Sequence, residues 1–161
     1  MEGRHEANGS ERGDGVKTTI AIDPGASGGI AVATSDGVQT FNMPREHADI
    51  IALLREHKTA DAVAWIEEVP KFCGKALPAS SIFVMAQNHG VIIGAVLALG
   101  YELRRVRPQE WQAIIGSSKK AHGAGWKRFL KARAQEIFPA LDVTLATADA
   151  LLILDHARRV K

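Results

Sequence analysis

Three carboxylates sit where side chains can do chemistry. Asp23 follows the run Thr18-Thr-Ile-Ala-Ile, Glu67 closes Ala62-Val-Ala-Trp-Ile, and Asp149 interrupts the apolar stretch Ala148-Asp-Ala-Leu-Leu-Ile-Leu. Singly, each has an ordinary explanation. Asp-Pro-Gly is good turn chemistry, a Glu at a strand end suits solvent, and an acid in a helix first turn is favoured by the helix dipole. Together they point elsewhere. If the first and fourth strands are neighbours, Asp23 and Glu67 meet at one sheet edge, and a helix packed over that edge can bring Asp149 to them. Three carboxylates so placed repel one another unless cations neutralise them. Hard divalent ions such as Mg²⁺ bind through carboxylate oxygens while keeping waters, the arrangement phosphoryl transfer needs.

The elements that must position these acids can be read along the chain. Thr18–Asp23, Gly28–Ala33 and Val38–Asn42 read as three strands joined by tight turns, an antiparallel meander. Ala48–Glu56 has apolar residues at helical spacing, and Ala62–Glu67 is a fourth strand stopped by Pro70. Residues 71–80 form a Gly/Pro/Ser-bearing loop. Ser81–Leu99 is a long helix, apolar nearly all round and so expected to be buried on several sides, with Gly100 as its stop. Tyr101–Val106 is a fifth strand, Pro108 opens a short helix, and residues 116–125 are read as a loop. Trp126–Phe138 is an amphipathic helix, its Trp126, Phe129, Leu130 and Ile137 read as core. Thr147–Val160 is the last helix. A meander followed by alternating strands and helices makes an α/β fold: a mixed five-stranded sheet with helices on both faces.

Composition narrows the classes. The single Cys73 excludes an internal disulfide framework and a Cys-rich zinc site. The net charge of +2 hides an asymmetry. Residues 1–100 hold eight Lys/Arg against twelve Asp/Glu, and residues 101–161 hold twelve against six. The basic half is either a footprint for a polyanion or a solvated helical surface. The apolar run 90–99 is shorter than a membrane span. Residues 1–16 are polar and charged, lack the apolar core of a secretory signal, and read as a disordered tail.

Ile-Asp23-Pro-Gly-Ala-Ser-Gly-Gly-Ile-Ala, Trp-Ile-Glu67-Glu-Val and Ala-Asp149-Ala-Leu-Leu-Ile, in this order and at these spacings, resemble three motifs of the RuvC-type Holliday junction resolvases. The resemblance runs from about Lys17 to Arg159. It implies an RNase H-like nuclease domain over residues 17–161 and a Mg²⁺-dependent endonuclease that cuts four-way DNA junctions by paired symmetric nicks. Asp23, Glu67 and Asp149 would hold two Mg²⁺ ions, with Mn²⁺ able to substitute. The partners implied are branched DNA and a second copy of the chain, in the cytoplasm of a cell or as a phage product there. The long apolar helix would form the homodimer interface.

The resemblance also implies DNA contacts. Lys71, Phe72 and Lys75 lie in the loop after Glu67, where the family carries an aromatic that inserts near the crossover. Phe72 equally reads as a core residue pinning that loop. Lys119 and Lys120 match a basic loop, and Lys127, Arg128 and Lys131 lie on the polar side of an amphipathic helix. Arg104, Arg105 and Arg107 either reach phosphate or guard a strand edge. His89 reads as a satisfied structural histidine.

One position departs from the family. A fourth ligand, Asp or His, usually precedes the last Asp by about one turn, and here Ala146 stands there. Asp142 is a candidate substitute if its loop folds back. So is His156, although it lies about 10 Å further along the helix. Water completing the shell and loss of activity are the other options. Three competing functions follow: a catalytically impaired junction-binding protein, an RNase H-like nuclease acting on other branched DNA or on RNA, and a fragment of an actin- or sugar-kinase-like ATPase. The last would need a second lobe and a second phosphate loop, and neither is present in the sequence.

Overall fold

The computed structural model of the chain describes residues 17–69 and 78–160. The expected tail 1–16 and the loop residues Lys71, Phe72 and Lys75 lie outside the described residues. Five strands form one sheet: β1 (Thr19–Ile22), β2 (Gly29–Thr34), β3 (Gly37–Asn42), β4 (Val63–Glu67) and β5 (Glu102–Val106). Their order is β3-β2-β1-β4-β5. β1 pairs antiparallel with β2 and parallel with β4, and β4 pairs parallel with β5. The helices are α1 (His47–Glu56), α2 (Ala79–Ala98), α3 (Pro108–Ala113), α4 (Lys119–His122), α5 (Trp126–Ile137) and α6 (Ala148–Arg159).

Strand alternation splits the core into two layers. Ile20, Ile22, Ile30, Val32, Ala64 and Ile66 face α1 and α2. The intervening Ala21, Ala31 and Ala33 face α5 and α6, together with Val106. The small residues on that second face let α6 lie close across β1 and β2, and eight consecutive residues, Ala148–Asp155, are buried there.

Two sequence expectations need correction. Residues 116–125 are not an open loop: they contain α4 and a 3₁₀ turn at Gly123–Gly125, with Ser118 capping α4 by accepting from the Ala121 N–H. Nor is α2 buried on several sides. Only Ile92, Ala95 and Val96 are buried, while Ile82, Phe83, Val84 and Leu97 are exposed, Phe83 at 67%. The helix covers the sheet edge with its C-terminal half, where it meets β5 and α1, and its N-terminal half reaches past that core. At 20 residues and a mean hydropathy of 1.6, α2 is also long and apolar enough to cross a membrane by length and composition, contrary to the shorter run read from sequence. Its packing against α1 and β5 places it as part of the domain instead. Gly100 ends it as expected, with a φ of +75° that disfavours any other residue.

Candidate active site

Register brings the first two acids together. Ile22 pairs with Ile66 across the parallel β1–β4 ladder, so the next residues, Asp23 and Glu67, stand side by side. Both follow residues that point toward α1 and α2, so both project to the opposite face, under α6. Asp149 comes down to them from the first turn of α6.

Two glycines make this approach possible. A Cβ on Gly28 would lie 2.7 Å from Asp23 Cγ, and one on Gly29 would lie 2.7 Å from the Ala146 carbonyl oxygen. Any side chain at 28 would collide with the Asp23 backbone carbonyl, at 2.3 Å, as well as with its carboxylate. Any at 29 would push away the segment leading into α6.

The three acids feel one another's charge. Asp23 accepts a hydrogen bond from the Gly25 N–H at 3.1 Å. Its carboxyl is nevertheless raised above the ordinary range, chiefly by burial and further by Asp149. Glu67 is pushed up to about 7, first by burial and then by the charge of Asp23. The Trp111 indole N–H donates to Glu67 Oε2 at 2.8 Å and opposes that rise. Asp149 is 6% exposed. One of its oxygens accepts from the Lys127 ammonium, and the other, Oδ1, is buried without a hydrogen-bond partner. Burial pulls the Lys127 ammonium down, but Asp149, Asp23 and Glu67 outweigh it and hold Lys127 above its ordinary value. Asp23, Lys127, Leu145, Ala146 and Gly28 line an open groove of about 600 Å³.

The donor set suits a hard divalent ion. It consists of three carboxylates that face one lysine, and a buried carboxylate oxygen lacks any partner. Among the described residues, however, no three Asp, Glu, His or Cys side chains are gathered into a ready-made metal cage. With Ala146 in the groove wall, Lys127 supplies the positive charge that the acids have in this arrangement.

The remaining sequence candidates fall outside this cluster. Lys119 and Lys120 are exposed on α4, and Lys131 follows Lys127 by one turn of α5. Asp142 is exposed. His156 packs edge-on against Trp65, and Asp155 pairs with Arg159. His89 is half-buried and lines a second groove, of about 560 Å³, with Glu68, Arg105 and Arg107. Arg104 pairs with Glu102 and Arg107 with Glu110. Sequence reasoning missed two features: Trp111 as a partner of Glu67, and Lys127 as a member of the acid cluster itself. A helical periodicity put Lys127 on the polar face, but only the crossing of α5 with α6 shows what that face meets.

No protein-family model matches the sequence, and no curated protein matches it. Solved structures do. RuvC from Thermus thermophilus, in complex with a Holliday junction substrate, superposes with a TM-score of 0.57 at 17% identity, covering 89% of this chain and 95% of that one. A second structure of Thermus thermophilus RuvC gives a TM-score of 0.58 at 16% identity, covering 88% of this chain and 95% of that one. The chain has a RuvC-like, RNase H-like fold.

Proposed function

We propose that this chain is a metal-dependent endonuclease that cuts four-way DNA junctions. The observation that carries the reading is that Asp23, Glu67 and Asp149 lie within reach of one another's charge, with Asp23 lining an open groove, in a fold shared with a protein solved on a Holliday junction. Asp23, Glu67 and Asp149 would hold two Mg²⁺ ions, or Mn²⁺ in their place, and the ions would supply the Lewis-acid charge for hydrolysis of a phosphodiester to a 5′ phosphate and a 3′ hydroxyl. The Gly25 N–H fixes one oxygen of Asp23. Lys127 neutralises Asp149 before cation and DNA arrive, and its ammonium is then placed to meet a phosphate beside the acids. Lys119, Lys120 and Lys131 extend the basic surface along α4 and α5, and the same reading assigns DNA contact to Lys71, Phe72 and Lys75, which follow Glu67 in the sequence. A second copy of the chain docks on the exposed apolar face of α2, giving a two-fold enzyme for a two-fold substrate.

A second reading has two observations in its favour. Ala146 contributes no ligand, and Lys127 already occupies Asp149, which fits a protein that binds junctions without cutting them. One experiment separates the two. A labelled synthetic four-way junction is incubated with the protein in Mg²⁺ and then Mn²⁺, beside a linear duplex and an Asp23→Asn control. Paired symmetric nicks on the junction, absent with the control, establish the nuclease. Tight junction binding with no nicks in either metal establishes the binding protein. Neither binding nor nicking rejects both, and cleavage of other branched DNA or of RNA would redirect the substrate.

A further inference from the structure

Trp111 and Glu67 are 44 residues apart in sequence and meet through one hydrogen bond, indole Nε1 to carboxylate Oε2, at 2.8 Å. The indole is fully buried, packed in the core layer that holds Val106 and Leu151. A buried tryptophan needs an acceptor for its single polar atom. A backbone carbonyl would serve for folding alone, yet here the acceptor is a carboxylate of the candidate site.

The donor is also held still. α3 begins at Pro108, its first turn is closed by the Arg107 N–H donating to Glu110 Oε2 at 2.7 Å, and it packs against α6. With the ring locked by its neighbours, the N–H points from a fixed place. Asp23 has its own fixed donor in Gly25, and Asp149 has Lys127. Trp111 completes the set, so each acid of the cluster is oriented by a different element.

We propose that Trp111 is a positioning residue: its indole N–H holds Glu67 Oε2 so that the other oxygen, Oε1, is left for a divalent cation. This rests on the reading of Glu67 as a cation ligand. Outer-sphere donors of this kind are worth roughly 10- to 100-fold in metal affinity when removed.

The test is Mn²⁺ binding without DNA, followed by the electron paramagnetic resonance of free Mn²⁺ at one pH, for wild type, Trp111→Phe, Glu67→Gln and Leu130→Ala. Leu130 lies in the same core layer, and its side chain carries no polar atom, so it controls for lost packing. Trp111→Phe and Glu67→Gln should each weaken Mn²⁺ by roughly 10- to 100-fold, while Leu130→Ala leaves it unchanged. Wild-type affinity in Trp111→Phe with loss in Glu67→Gln overturns the positioning role alone. Equal loss in Leu130→Ala also overturns it, because packing would then explain the effect. Unchanged affinity in Glu67→Gln overturns the ligand reading beneath it. If Trp111→Phe does not fold, the indole N–H resonance of Trp111 in ¹⁵N-labelled protein decides. It should shift in Glu67→Gln and on adding Mg²⁺ to wild type, and a resonance that moves in neither case overturns the proposal.

Discussion

Helices α2 and α6 both look apolar in sequence, yet α6 buries eight consecutive residues, Ala148–Asp155, while α2 buries three of its twenty. The difference comes from what lies beneath them. α6 rests on Ala21, Ala31 and Ala33, a floor low enough for the helix to settle into. α2 reaches past the edge of its layer, leaving Ile82, Phe83 and Val84 in solvent. α6 thus carries a buried charge that folding alone would not select, and α2 carries exposed apolar surface that folding alone would not select. Each is a departure from what stability favours, and the proposed function gives each an occupant: cation and DNA at α6, a second copy at α2.

The sharpest break in this comparison is chemical. Asp149→Asn should lower metal-dependent junction cleavage by roughly 10²- to 10³-fold, the scale seen when a transition-state charge partner is removed. Its melting temperature should hold or rise in metal-free buffer, because a buried charge has gone. Phe83→Ser in α2 should leave the per-site chemistry intact while shifting the protein toward a smaller species in size-exclusion chromatography at low concentration. A cleavage defect in Phe83→Ser as deep as that of Asp149→Asn, in protein that remains dimeric, would break the division between the two helices.

The next effect is on stability. Leu152→Ala removes a side chain that is 1% exposed, in the middle of α6. It should cost about 2–5 kcal/mol in chemical denaturation. Phe83→Ser should cost less than about 0.5 kcal/mol in the monomer, since the ring is already in water. Similar losses at both positions would mean that α2 is covered in solution.

Much of this was legible beforehand, for physical reasons. The meander and the alternating strands and helices follow from short-range signals: β-branched runs, Asp-Pro-Gly and Asp-Gly turns, and a helix stop at Gly100. The pairing of β1 with β4 has no local signal in the sequence, and the topology supplies it. The burial of α2 was not legible, because apolar composition reports what a helix avoids and not what covers it. Residues 116–125 looked like a loop because Gly and Ser are frequent there, yet Ser118 caps a short helix. Neither the Trp111–Glu67 bond nor the place of Lys127 leaves a local trace, because both depend on how distant elements cross.

A smaller effect follows from Glu67, whose carboxyl is raised from 4.5 to about 7 in the folded chain, first by burial and then by Asp23. A raised folded value means the native state prefers the protonated acid. The stability this contributes is present in full below pH 4.5 and is lost as pH rises through about 7. Relative to Glu67→Gln, the metal-free protein should therefore weaken on going from pH 4.5 to pH 8, by on the order of 2 kcal/mol once solvent screening is allowed for. Divalent ions should reverse the trend, because cation and proton compete for the same carboxylate. A flat difference between the two proteins across this range would mean that Glu67 is more solvated than its place beside Asp23 implies.

The smallest expected change is at Ala146, and it bears on whether the α6 end of the site is complete. Ala146 lines the groove with Asp23 and Lys127, one residue before the buried Thr147 that precedes α6. An acid there has room on the groove side, so with divalent ions present Ala146→Asp should change folding stability by only a few tenths of a kcal/mol, within the range of surface substitutions. It adds a fourth carboxylate to a cluster that has one lysine for balance. Mn²⁺ should then bind more tightly by about tenfold, a gain of about 1.4 kcal/mol. If cleavage also rises, Lys127 was making up for a missing ligand. If Mn²⁺ tightens and cleavage does not change, the three acids and Lys127 already suffice, and the small residue at 146 serves to keep the groove open for the DNA strand.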